Sequence, residues 1–109
     1  MKQDNKPKEK NIHANHRARM KKLFIENGLD SFSEVEKLEY LLFYAIPFKD
    51  TNPIAHRLLD EYKTLNGVLN ATYDGLLRVK GVGEHVALFL KSMHAGISEY
   101  YKSNLVPMQ

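Results

Sequence analysis

The 109 residues contain no cysteine, which excludes thiolate metal sites, cysteine nucleophiles and disulfide staples, and fits a reducing compartment. Long apolar runs are also missing. The longest, LLFYAI at 41–46, is far below the roughly 20 residues of a membrane span. MKQDNKPKEK at 1–10 has no apolar stretch behind its charges, so a signal peptide is not expected either. The chain reads as cytoplasmic and without a membrane partner. Val, Ile and Thr are sparse and no stretch alternates polar with apolar, which argues against strands. Neither a GxSxG elbow nor a P-loop occurs, so no nucleophile or nucleotide motif is available. The sequence reads as a non-enzyme with no catalytic residue.

What is present is helical spacing in a length that suits one domain. Apolar residues recur at three- and four-residue steps throughout, and the expectation is an all-α fold. A first helix is expected over 14–27 with Met20, Leu23 and Phe24, closing at Gly28. Ser33 and Glu36 form the pattern of a capping box and open a second helix, which carries Leu38, Leu41, Leu42 and Ala45 towards Pro47. Tyr40, Phe43 and Tyr44 fill its other faces, so this helix is expected to be central and buried. Asn52 followed by Pro53 reads as a helix start, with the amide as cap and proline in the first turn. Thr64 and Thr72 are expected to cap two short helices, the second containing Gly75 at a cost of about 1 kcal/mol relative to alanine. The last helix opens at Gly83 with a stripe of Val86, Ala87, Leu90, Met93, Ile97 and Tyr100 or Tyr101. Residues 1–12 read as a basic disordered tail, 13–102 as the folded domain and 103–109 as a C-terminal tail.

Charge is unevenly distributed along the chain. Residues 1–22 hold eight Lys/Arg against Asp4 and Glu9, a net +6, whereas residues 23–109 hold eight against eleven acids, a net −3. The basic end suits nucleic acid or an acidic surface, with Arg17, Arg19, Lys21 and Lys22 as candidate contacts.

The stretch VKGVGEHVA at 79–87 carries the sharper signal. Gly81 can take positive φ, Val82 would point into the core, and Gly83 would leave the N–H groups of Val82, Gly83 and Glu84 bare at a helix start. Such groups bind anions, reinforced by the helix dipole. Lys80 adds a point charge beside them, and His85 a further donor. The bland alternative is a tight turn that needs glycine for geometry alone.

With apolar residues at Leu76, Leu77 and Val79 before it and Val86, Ala87 and Leu90 after it, this stretch resembles the helix-hairpin-helix motif. The paired arrangement of helices two and three with five and six, preceded by an N-terminal helix and joined by a short connector, resembles its doubled form. The blocks HRARM at 16–20, ENGLDSF at 26–32, LLFYAIPFKDTNPIAHRLL at 41–59 and VKGVGEHVA together resemble the N-terminal region of the RadC family, over about 13–93. That resemblance implies phosphate binding to DNA without sequence preference at Lys80, Gly81, Val82, Gly83, Glu84 and His85. It also implies a partnership with a JAB/MPN-type domain, whose histidine pair and aspartate have no counterpart in this sequence. A monovalent cation held by the carbonyls of Leu77, Val79 and Val82 is a further family implication; no other cofactor is expected. The first hairpin, IPFKDTNP, has no GxG, places Asp50 near its turn and loses an N–H at Pro53, so it reads as structural.

The five histidines do not converge in the sequence, which argues against a metal site, and they read as solvated apart from His85. Glu34, Glu36 and Glu39 read as a solvated face with capping duty. Two functions remain open: a sequence-independent DNA-binding module that delivers a JAB-type domain to DNA, and a protein-interaction or scaffold module that has lost DNA binding.

Overall fold

Hydroxyl side chains begin three of the helices, as their spacing predicts. The computed structural model describes residues 5–105, with side chains over 14–104. Its order is α1 (Asn5–Asn27), a 3-10 turn (Leu29–Ser31), α2 (Glu34–Leu42), α3 (Asn52–Tyr62), α4 (Leu65–Asn70), α5 (Tyr73–Leu77) and α6 (Glu84–Leu105). No strand occurs among the described residues, and the fold is all-α. Ahead of α2, Ser33 Oγ accepts from the Glu36 N–H at 3.3 Å while the Glu36 carboxylate accepts from the Ser33 N–H at 2.9 Å, completing the capping box. Thr64 caps α4 through the Gly67 N–H and Thr72 caps α5 through the Gly75 N–H, both at 3.0 Å.

Three boundaries differ from expectation. Helix α1 begins at Asn5, well before position 14; Lys and Glu favour helix there, and Pro7 falls in the first turn, where no N–H is needed. That stretch has no apolar period to reveal it. The rest of the expected N-terminal tail, 1–4, and the end of the C-terminal one, 106–109, lie outside the described residues. Helix α2 stops at Leu42, and the chain turns so that the Ala45 and Ile46 N–H groups both donate to the Leu42 carbonyl, at 3.0 and 2.8 Å. At α3, Asn52 is the first helical residue and not its cap. Its N–H donates to Asp50 Oδ1 at 3.0 Å, so a carboxylate closes this helix start; Pro53 sits in the first turn as expected.

The packing follows from the length of these pieces. Helices α4 and α5, six and five residues long, are too short to persist alone and depend on burial. Leu38 and Leu42 of α2, Ala55 and Leu58 of α3, Val68 of α4, Leu76 of α5 and Ala87 and Leu90 of α6 are fully buried in one core. Helix α2 packs on α3 and α5 on α6, with α4 touching α2, α3 and α6. Close approach fixes Gly67, where an added Cβ would overlap the Tyr62 carbonyl oxygen. Lys91 ties α6 to the end of α4 by donating to the carbonyls of Leu69 at 3.2 Å and Ala71 at 2.8 Å.

A second cluster joins α1 to α2: Met20, Phe32, Tyr40 and Phe43 are buried together, and Phe24 stacks on Tyr40 with ring centroids 4.9 Å apart. Burial, with the 2.9 Å hydrogen bond to the Tyr44 hydroxyl, pushes the Tyr40 phenol up to about 12. Tyr44 itself, beyond the end of α2, is exposed, and so is Glu36 within the helix, so α2 is not buried on all faces. The stripe along α6 is also shorter than its periodicity suggests. Val86, Ala87 and Leu90 are buried and Met93 half-buried, but Ile97, Tyr100 and Tyr101 are exposed.

Leu42→Ala should destabilise the protein by about 2 to 5 kcal/mol, measured by urea unfolding. A second test concerns Glu34, which accepts the Leu65 N–H at 2.7 Å and Lys37 Nζ at 3.2 Å. Those bonds, the backbone one foremost, hold its carboxyl below the ordinary 4.5. A depressed folded-state value gives stability that is complete above the unfolded value and lost as pH falls through the folded one. Glu34→Gln should therefore lower Tm at pH 7, and the gap to the parent should close progressively below pH 4.5.

Candidate nucleic-acid interface

The second hairpin is built by successive turn bonds leading out of α5. The Arg78 N–H donates to Gly75 O at 3.2 Å, Val79 to Leu76 O at 3.1 Å and Val82 to Val79 O at 3.0 Å. Gly81 has φ +92°, a region costly for any side chain, and a Cβ there would also lie 3.1 Å from both Arg57 Nη1 and Ile54 Cγ1. Val82 is buried at 6% exposure. The turn is thus pinned inward at one residue and held from α3, where Arg57 Nη1 donates to the Lys80 carbonyl at 3.2 Å. Arg57 was not anticipated; nothing in the sequence marks it beyond its place beside Leu58 on an amphipathic helix.

Gly83 is a different kind of glycine. Its φ is not positive, nothing lies within 4 Å of an added Cβ, and the fold would accept a side chain there. It stands at the cap position of α6, its carbonyl accepting from the Ala87 N–H at 3.0 Å. Serine, threonine or aspartate at such a position would accept from one N–H of the first turn. Hydroxyls do so for α2, α4 and α5, and Asp50 does so for α3. At α6 the N–H groups of Gly83, Glu84 and His85 have no partner among the described residues. The Val82 N–H is committed to Val79, so the bare set begins one residue later than expected. The same bond uses the Val79 carbonyl, one of the three oxygens implied for a monovalent cation. Lys80, Gly81, Gly83, Glu84 and His85 are all exposed.

The two hairpin turns meet. A groove of about 330 Å³ runs between them, lined among others by Ile46, Phe48 and Lys49 from the first and by Gly81, Gly83 and His85 from the second. No carboxylate lines it.

The basic residues of α1 serve two ends. Arg17 points into the protein: Nη2 donates to the carbonyls of Ile46 and Lys49, both at 2.6 Å, and Nη1 to Phe43 O at 3.2 Å. Its guanidinium lies 4.5 Å from the Phe43 ring centroid. Desolvation by burial lowers its pKa, partly offset by Asp50 and Glu39. Arg17 therefore clasps the first hairpin turn, with both Nη2 donors and one Nη1 donor occupied. Arg19, Lys21 and Lys22 are exposed on α1, with Lys21 Nζ 5.7 Å from the Tyr44 ring centroid.

Two further expectations are corrected. Glu39 is buried at 4% exposure and not part of a solvated face; it accepts from Asn52 Nδ2 at 3.5 Å and lies 3.0 Å from His16 Nε2. His16 is accordingly a partner of α2, while its side chain stays 40% exposed. Among the other histidines, His94 Nε2 meets Asn70 Oδ1 at 3.2 Å, His56 and His85 are exposed, and the His13 side chain lies outside the described residues. No group of three His, Cys, Asp or Glu able to hold a metal occurs among the described residues. No helix among them is long and apolar enough to cross a membrane.

An all-α segment with this pair of hairpins has RadC-like relatives. The chain is 44% identical over 90 residues to a UPF0758 protein of Fusobacterium nucleatum, UPF0758 being a RadC-family name. It is 36% identical over 94 residues to one of Ruegeria pomeroyi and 34% over 87 residues to one of Rhodobacter capsulatus. These matches take in 83%, 86% and 80% of this chain but 39%, 42% and 41% of the relatives, so the chain spans about two-fifths of their length. No family model and no solved structure matches the chain.

The clasp is testable through its geometry. Lysine can supply charge but not two forked N–H groups, so Arg17→Lys should destabilise by about 1.5 to 3 kcal/mol in urea unfolding, nearly as much as Arg17→Ala. Full stability in the lysine variant would show that charge alone holds the turn.

Proposed function

We propose that this segment binds DNA without sequence preference, taking backbone phosphate on the N–H groups at the start of α6, and that it acts by binding and not by chemistry. The observation that carries this reading is Gly83. The fold requires Gly81 by φ and by contact, yet nothing in it requires glycine at 83, where serine, threonine or aspartate would stabilise by roughly a few tenths of a kcal/mol and cover an N–H. The first N–H groups of this 22-residue helix are left to water, and an anionic acceptor from outside the protein can take that water's place. Phosphate does so, and Lys80 and His85 supply charge and a donor close by. Arg19, Lys21 and Lys22 add long-range attraction from α1. The first hairpin contributes shape and not N–H groups, since Asp50 closes α3. The family resemblance supports the same chemistry, with a cytoplasmic setting where DNA is accessible and a JAB/MPN-type domain as the cargo brought to it.

A second reading, a protein-docking module, draws on the exposed Ile97, Tyr100 and Tyr101 of α6 and on the acidic balance beyond residue 22.

Gly83→Val separates the two. The open space at 83 accepts the side chain, which obstructs phosphate approach, so most duplex binding should disappear in fluorescence anisotropy, while the poorer cap lowers stability by about 1 kcal/mol and leaves the variant folded. Lys80→Ala should weaken binding to unrelated duplexes equally and reduce the slope of log K against log salt by about 1. A folded Gly83→Val variant that binds like the parent would make the hairpin only a turn and leave the docking module as the function.

A further inference from the structure

Phe48 is 92% exposed, and of the exposed large apolar side chains among the described residues it is the one that lines the groove between the two hairpins. Nothing in the fold uses its ring: it takes part in none of the aromatic pairs among the described residues and in neither buried cluster. Its backbone is nonetheless firmly placed, because the carbonyls on either side of it, Ile46 and Lys49, are both gripped by Arg17 at 2.6 Å. An aromatic ring left in water on an anchored turn is preorganised for something that stacks.

We propose that the groove takes an unpaired nucleobase, stacked on Phe48, while the adjoining phosphate rests on the bare N–H groups of Gly83, Glu84 and His85. This rests on the DNA-binding reading above and refines it from duplex in general to DNA with a base out of the stack. The groove fits such an occupant in three respects. Its walls of Ile46, Pro47, Ile54 and Val86 are apolar, as the face of a base requires. Its charged or titratable members are Lys49 and His85, with no carboxylate, which complements a nucleotide's phosphate. Its volume of about 330 Å³ is at the small end of ligand pockets, roughly 300 to 1,000 Å³, and admits one base with its sugar but not a duplex end. Stacking on an aromatic ring tolerates every base, so the pocket selects for unpairing and not for sequence.

The test measures anisotropy for three labelled DNAs of one sequence: a continuous duplex, the same duplex with one central unpaired base, and the same duplex with an abasic site at that position. The parent should bind the unpaired-base duplex about tenfold tighter than the continuous one, in the range that aromatic stacking supplies. The abasic duplex, which is equally deformable but has no base to stack, should show no such gain. Phe48→Ala should bring the preference to about one, and Phe48→Trp should keep it. Because Phe48 is outside the core, both variants should fold, and melting curves verify this. Equal affinity for the three DNAs, or a preference that persists in Phe48→Ala, overturns the base pocket and leaves duplex binding standing. A Phe48→Ala change in sedimentation coefficient with the DNA preference intact makes the ring a self-association contact and likewise overturns it. A parent that binds none of the three DNAs overturns the DNA-binding reading together with this one.

Discussion

Whatever the second hairpin presents outward depends on Val82 pointing inward. One valine side chain, buried among Ile54, Val86 and their neighbours, fixes where the turn sits relative to α3 and α6. Positive φ at Gly81 is the backbone condition for that burial, since a left-handed residue reverses the chain in time for Val82 to enter the core. With 82 committed inward, 83 is directed outward, and α6 starts with its first N–H groups in solvent. Packing energy, with the Arg57 hydrogen bond to the Lys80 carbonyl beside it, therefore orients the candidate phosphate site. Site and core cannot be varied independently at 81 and 82; they can at 83.

The two hairpins share this scaffold but not its chemistry. At the first, Asp50 accepts the Asn52 N–H, Thr51 donates its hydroxyl to the Glu39 carbonyl, and Arg17 grips the carbonyls of the turn from α1. The Ile46 and Lys49 carbonyls and the first N–H of α3 are thus answered from within the protein. At the second, Arg57 takes the Lys80 carbonyl, and the N–H side stays open. Carbonyls are held in both turns, while only the first has a carboxylate on the opening N–H of its helix, which gives the pair a polarity that a symmetric hairpin doublet would lack.

Local devices were legible in the sequence, and pairings between distant segments were not. Ser33 with Glu36, Thr64 and Thr72 act within three residues of themselves, so type and spacing sufficed. The same holds for Gly81, whose conformation belongs to its own turn. Arg17, His16 and Glu39 looked like ordinary charges because their roles arise between residues 23 to 32 apart in the chain, for which charge patterning gives no signal. Asn52 shows a near miss of another kind: Asp50, Thr51 and Asn52 are all competent caps, and the choice fell to the residue whose carboxylate reached the N–H once Thr51 had turned to Glu39. The stripe along α6 misled for a physical reason as well. Periodicity reports which residues share a face, and only the lengths of the neighbouring helices determine how far that face is covered.

That uncovered length of α6 has a mechanical consequence. The helix rises about 1.5 Å and turns about 100° per residue, so the ring pair at Tyr100 and Tyr101, whose centroids are 5.7 Å apart, stands at a set distance and a set azimuth from the hairpin at Gly83. Lys91 and His94 anchor the rod to α4, which leaves the part beyond them as a lever. Anything that grips the two tyrosines is aimed as well as tethered, and a single residue inserted after His94 would swing it by about a quarter turn about the helix axis while barely changing its distance.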